Sequence, residues 1–362
     1  MSKIIPLVLF SFILLNGMAQ LSSGKVRQPV DKVGFATSKK QMDRVMARID
    51  SAYGERIDAA LEKAGIRPFN QWKSVISPHD DYAYVSWLYP AVLQNVKAST
   101  VILVGVAHKA RKYGLEDKMV FGSFGQWAAP YGEVPVSFLQ GKITNRLPAS
   151  TWILHDSLMA EEHSLEAIIP FLQYYNRNVN IIPVIIPYMS FATMKGLALS
   201  LARAIHDVME DNGMMWGKDY AIVISNDAVH YGDEDWGGKA YARFGTDSAG
   251  YEQAVKYEKE LIASTLTGSL KKKKIETFFN TTVNPNDYKE YQWTWCGRYS
   301  VPFGLLVTEA LSGFTHASLK GVMISYKTSI DDHPVRVEDL KMGTTANATL
   351  HHWVGYAGIG YR

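Results

Sequence analysis

The sequence predicts an α/β fold, with a largely parallel or mixed central sheet flanked by helices, in one domain over residues 20–362. Three observations predict it. Short apolar runs rich in Val and Ile alternate with amphipathic helical segments, the pattern of strands buried on both faces. Histidines and acids stand just after those runs, at the strand ends where open α/β sheets bind ligands. No internal repeat, and no stretch rich in Pro, Gly or Ser, divides the chain. With 47% hydrophobic and 20% charged residues, the composition suits a globular enzyme with a sizeable core.

Taken in order, Met1-Ser2-Lys3 supplies a basic start, Ile4 to Leu15 an apolar stretch and Gly17-Met18-Ala19 a small-residue cleavage site. That is the pattern of a secretory signal over residues 1–19, placing the mature protein outside the cytoplasm, most simply in a bacterial periplasm. The apolar stretch is shorter than the roughly 20 residues a bilayer span needs, so no stable membrane span is expected after cleavage. Gln20 to Ala36 reads as a polar lead-in. Ser38 to Ala64 carries Met42, Val45, Met46, Ile49, Tyr53, Ile57, Ala60 and Leu61 at helical spacing and stops at Gly65, a surface helix packed by one face.

Strands are then expected at residues 73–77, 100–104, 180–186 and 220–224, with late strands at 321–326 and 353–359. Helices are expected at residues 165–175, 194–209, 251–266 and 301–311. The run Lys271 to Lys274 reads as a solvated loop. A net charge of +3, dispersed along the chain, gives no case for a nucleic-acid partner.

The chemistry-bearing positions begin with the single cysteine, Cys296, which cannot form an intrachain disulfide. Standing just before an apolar helix, it is expected to feel the positive end of the helix dipole and to have a lowered pKa. On its own, a lone Cys reads first as a small buried hydrophobe. His79, His108 and His230 each follow a strand-like run, and imidazoles gathered at one sheet edge favour a site. Glu161-Glu162-His163-Ser164-Leu165-Glu166 reads either as a helix start capped by Ser164 or as a pocket motif.

The ordered series Ser77-Pro78-His79, Gly105 with His108, Glu162-His163-Ser164-Leu165-Glu166, Ser225 with Asp227 and His230, and Cys296-Gly297-Arg298 resembles the Memo family, also called AmmeMemoRadiSam system protein B. The likeness runs from about Trp72 to Tyr356-Ala357-Gly358. It implies the fold of class III extradiol ring-cleaving dioxygenases, non-haem iron enzymes that hold metal on two histidines and a carboxylate. In Memo-like proteins a cysteine stands in place of that carboxylate. The resemblance matches His79, His108 and Cys296 to the three ligands, and His230 to the histidine that serves those dioxygenases as acid and base. It associates the family with copper or iron, with redox activity and, in a vertebrate relative, with phosphorylated peptides. This chain departs from the family's Pro-His-Ala-Gly-Tyr by having Pro78-His79-Asp80-Asp81-Tyr82, and has Lys109 where many relatives carry a second histidine.

Two imidazoles and a thiolate suit one transition-metal ion, copper or iron foremost and zinc as a redox-silent alternative. Candidate metal ligands are therefore His79, His108 and Cys296, and candidate catalytic residues His230, Asp227 and His163. Candidate pocket residues are Asp80, Asp81, Tyr82, Glu166, Trp295 and Arg298, with Trp293 and Tyr231 as further aromatic walls. The function expected is a secreted metal-dependent redox enzyme acting on a small, phenolic molecule, with His230 as general base. The alternatives are a binding module for a peptide or small anion, with Arg298 contacting the charge, and a zinc hydrolase. A Ser-His-Asp hydrolase is disfavoured because no Gly-x-Ser-x-Gly elbow occurs.

Overall fold

The computed structural model describes residues 22–362, so the signal read in residues 1–19 lies outside the described residues. Among the described residues, no helix is long and apolar enough to cross a membrane. The main sheet has ten strands and is mixed, flanked by helices. Its parallel centre runs Ser74–Ser77, Tyr220–Ser225, Thr100–Val106, Asn180–Ile186 in spatial order. His352–Tyr361 pairs antiparallel with Ser74–Ser77, and Lys320–Thr328 antiparallel with His352–Tyr361. On the far side Met119–Phe121 pairs antiparallel with Asn180–Ile186.

Strand side chains alternate between faces, and here the alternation sorts the central residues into two cores. Val75, Val101, Leu103 and Val223 pack on one side with the helices Leu88–Leu93 and Ile169–Tyr175. Ile76, Ile102, Val104, Ile222 and Ile224 pack on the other with Phe191–Asp211 and Ser300–Phe314. The first long helix, Lys39–Lys63, opens with a capping box in which Ser38 and Gln41 satisfy each other's backbone groups.

Three local readings are corrected. The lead-in contains a strand, Ser22–Arg27, which pairs with Phe124–Trp127 in a separate small sheet. The lysine run opens a helix, Lys272–Thr282, because Ile275, Phe278, Phe279 and Thr282 form a buried stripe at helical spacing while Lys271, Lys272 and Lys273 face water. The helix expected from Leu165 starts at Ile169, where Pro170 sits in the first turn that tolerates it; Ser164 lies in the turn before and is not its cap.

Glycine in the last strand makes room for the core. A Cβ at Gly360 would stand 2.5 Å from three carbons of the Trp72 indole, which is fully buried and donates from Nε1 to the Val92 carbonyl at 3.1 Å. Gly360→Ala is therefore expected to cost about 1–3 kcal/mol of stability by overpacking, read from the urea midpoint. An unchanged midpoint would show that the indole yields freely.

Candidate metal centre

The sheet register assembles the site. Ser77 pairs with Ser225, so His79 and Asp227, leaving their strands at matching positions, stand side by side. The His79 N–H donates to Asp227 Oδ1 at 2.9 Å. His108 leaves the neighbouring strand Thr100–Val106. Cys296 stands in the turn that follows Trp295, which is bridged to Val229. Its Sγ lies 2.8 Å from His108 Nε2 and 3.5 Å from His79 Nε2. These ligand atoms all fall within 4.8 Å of one another.

The tautomers follow from the surrounding bonds. The Ser225 hydroxyl donates to the Ser164 carbonyl at 2.6 Å, so toward His79 Nδ1, at 2.7 Å, it can only accept. His79 thus carries its proton on Nδ1 and turns a bare Nε2 toward the sulfur and toward Asp227 Oδ2 at 3.3 Å, a carboxyl that burial raises. His108 donates from Nδ1 to Glu162 Oε1 at 2.7 Å, and Glu162 also accepts from the His108 and Ser164 backbone N–H groups at 2.7 and 2.9 Å. Each imidazole is oriented through its outer nitrogen with the inner one turned toward the sulfur, the orientation that prepares histidine for a metal. A buried group of His79, His108 and Cys296 can therefore bind a metal ion. A second group of possible donors, His108, Glu162 and His163, shares His108, but its carboxylate is already engaged.

Burial dominates the electrostatics. It pushes the Cys296 thiol up, with His108 opposing the rise; the lowered thiol pKa expected from the helix start is overturned, since the helix begins only at Ser300 and Cys296 is fully enclosed. Burial works against charge on His108, yet the sulfur of Cys296 and the Glu162 carboxylate outweigh it and hold His108 well above its ordinary range. Glu162 also pays for burial, but the charge of His108 brings it down to about 2. Burial first, and His108 second, hold His79 well below its ordinary value, bring His163 down to about 4 and bring His230 to about 3, so these rings are neutral at pH 7.

A cavity of about 660 Å³ opens over His79, His108, His163 and His230. Asp80, Asp81 and Asp227 line it too, and burial raises all three carboxyls, Asp81 to about 7 with Asp80 adding to the effect. His163 stacks on His108 with ring centroids 4.5 Å apart. His230 Nε2 is shielded from solvent and has no partner among the described residues. Asp227 turns both oxygens to His79, Oδ1 to its backbone N–H and Oδ2 to within 3.3 Å of its Nε2, and makes no bond to His230 among the described residues.

The other residues expected in the pocket lie elsewhere. Tyr82 points into the core and donates to the Ala167 carbonyl at 2.8 Å. Trp295, Trp293 and Tyr231 belong to the opposite core, the two indoles donating to Glu258 Oε1 at 2.7 and 2.5 Å. Glu166 forms a buried ion pair with Arg27 and accepts from the N–H groups of Val30 and Asp31, tying down the segment Val30–Phe35 that roofs the cavity. Arg298 lines a separate cleft on the other side of His108 and Cys296.

A family model described as Memo-like protein matches residues 50–339. The chain belongs to the Memo family. Among its relatives, a MEMO1 family protein of Pyrobaculum aerophilum is 28% identical over 167 residues, 44% of this chain and 54% of the relative. One from Thermotoga neapolitana is 28% identical over 216 residues, 58% and 72% of the two chains, and one from Thermococcus kodakarensis 25% identical over 217 residues, 57% and 66%. The matched stretch spans about half the length of the Pyrobaculum relative. The mixed sheet flanked by helices agrees with the dioxygenase-like fold expected of a Memo chain.

One residue of this Memo chain escaped the sequence reading. Glu258 is fully buried on the helix Ser248–Thr265 and accepts both indole N–H groups that flank Thr294, just ahead of Cys296. An acid on the stripe of Ala254, Leu261 and Ile262 was the available signal, because a charge on a buried face needs a partner. Burial raises its pKa from 4.5 to about 7. The stability it contributes is full below about 4.5 and is lost as pH rises through about 7, a difference on the order of 3 kcal/mol. Glu258→Gln is therefore expected to flatten the fall in unfolding free energy between pH 5 and 7.5; parallel curves for the two proteins would refute this.

Proposed function

We propose that this protein is a metal-dependent oxidoreductase that holds one copper or iron ion on His79, His108 and Cys296 and acts on a small phenolic or catecholic molecule in the cavity above them. The observation that carries the reading is the convergence of two outward-braced imidazoles and one sulfur, with separations of 2.8 and 3.5 Å from Sγ to the two Nε2 atoms, the two imidazoles also lining a 660 Å³ cavity. The donor set fits a soft-to-borderline transition metal, and copper or iron bound there would supply the one-electron and oxygen chemistry that no side chain provides.

The chain's own residues bind and orient the substrate and handle its proton. His230, neutral and without a protein partner at Nε2, takes the hydroxyl proton as general base. His163 adds a second neutral ring in the cavity wall. The roof formed by Val30–Phe35 and the residues Thr345 to Ala348 keeps water from the reacting face. Residues 1–19 act as an export signal in this reading, and the mass of the N-terminal peptide of the mature protein tests that separately.

The metal content of the purified protein, with its optical and paramagnetic spectra, tests the proposal. About one copper or iron per chain is expected, and Cys296→Ser is expected to lose at least about tenfold in metal affinity. A folded preparation with no metal and no uptake on titration would sink the reading, and zinc alone would move it to hydrolysis. His230→Gln is expected to keep the metal while oxygen uptake with catechol falls by about 10²-fold or more; unchanged uptake would remove His230 from the chemistry.

A further inference from the structure

The end of the main sheet away from the metal centre carries an unbalanced positive charge. His79, His108 and His230 follow the carboxyl ends of Ser74–Ser77, Thr100–Val106 and Tyr220–Ser225. At the opposite end the starts of Ser74–Ser77, Tyr220–Ser225 and Lys320–Thr328 lie beside the finish of His352–Tyr361. The register gathers cations there. The Leu270 N–H donates to the Leu319 carbonyl at 3.1 Å, which brings Lys271, Lys272 and Lys273 up to Lys320. Lys320 exchanges backbone bonds with Arg362, whose guanidinium donates to Asn70 Oδ1 at 3.1 Å, and the Arg67 N–H donates to the same oxygen at 2.7 Å. Lys218 joins them because Trp216 donates from Nε1 to the Lys73 carbonyl at 2.9 Å, just where the chain enters Ser74–Ser77.

Arg67, Lys218, Lys271, Lys272, Lys273 and Lys320 are all exposed, and among the described residues none of them pairs with a carboxylate. Asp219, the acid beside Lys218, turns Oδ2 to the Met215 N–H at 2.8 Å. Two large apolar side chains stand out into solvent at this same end. Phe69 is 78% exposed, the most of any large apolar residue among the described ones, and Met215 is 53% exposed. Unpaired cations around an exposed ring make a surface suited to a lipid headgroup layer, where charge meets phosphate and the ring meets hydrocarbon.

We propose that this end of the sheet docks on an anionic lipid bilayer, with the cations against the headgroup phosphates and Phe69 and Met215 entering the boundary of the acyl layer. The lysines alone would serve any polyanion. The exposed ring and thioether decide for a bilayer, because an apolar side chain gains only where hydrocarbon receives it. The attachment is peripheral, since no helix among the described residues is long and apolar enough to cross a membrane. It holds the histidine end of the sheet away from the lipid and requires no metal, because the docking residues and the histidines lie at opposite strand ends.

The test is cosedimentation of the mature protein with phospholipid vesicles. It is expected to bind vesicles of phosphatidylcholine mixed with phosphatidylglycerol and to leave those of phosphatidylcholine alone, with partition falling as salt rises. Lys271→Gln/Lys272→Gln/Lys273→Gln, changed only at exposed positions, is expected to lose at least about tenfold in partition. Phe69→Ala is expected to lose about fivefold, the effect of withdrawing part of a phenyl ring from hydrocarbon. Cys296→Ser is expected to partition as the parent does, which separates this surface from the metal centre. No partition onto the phosphatidylglycerol vesicles, equal partition onto the neutral ones, or undiminished partition of the triple variant overturns the proposal. Tighter binding of a short DNA duplex, with no response of vesicle binding to Phe69→Ala, would make this end a polyanion site and overturn the bilayer assignment.

Discussion

The Ser225 hydroxyl has one proton to give, and its destination decides what His79 can do. Given to the Ser164 carbonyl, it leaves the oxygen free to accept from His79 Nδ1, which fixes the ring with its other nitrogen bare. Ser225 is the last residue of a central strand, and its partner Ser77 ends the strand that carries His79. The tautomer is therefore a consequence of strand register, and a slip of one residue would turn both side chains to the opposite face. Glu162 does for His108 what Ser225 does for His79, with a charge in place of a hydroxyl. The two imidazoles consequently differ: one is held neutral by burial, and the other is drawn toward its cationic form by the groups on either side of it.

Around this pair the protein keeps two compartments of opposite character. The cavity side has buried carboxyls and neutral imidazoles under the roof of Val30–Phe35; the cleft side has arginines and lysines. His108 takes part in both walls, so a ligand on either side meets the same ring. The roof depends on the buried contact of Arg27 with Glu166, which connects the small N-terminal sheet to the cavity. Replacing one partner alone would leave an unpaired charge indoors, the costly way to break such a pair.

The fold class, the main strands and the three strand-end histidines were legible in the sequence because long apolar runs and their terminators are local signals. The meeting of His79, His108 and Cys296 was legible only through the ordered motifs. What failed was side-chain direction. Along the bent stretch Trp293-Thr294-Trp295-Cys296, neighbours diverge: both indoles reach Glu258, while Thr294 donates to the His230 carbonyl and Cys296 meets the imidazoles. Adjacency to the cysteine thus placed Trp295 in the core, away from the cavity. Tyr82 opens a short helix and turns inward in the same way. The thiol's pKa failed for another reason, since the dipole argument is local and burial depends on the whole fold.

X-ray absorption at the metal edge of the loaded protein bears most directly on the claim that one sulfur and two imidazoles meet at one ion. The account predicts a single sulfur scatterer together with the multiple-scattering pattern of two imidazoles, the sulfur contribution vanishing in Cys296→Ser. A ligand shell of nitrogen and oxygen alone in the parent protein would contradict it.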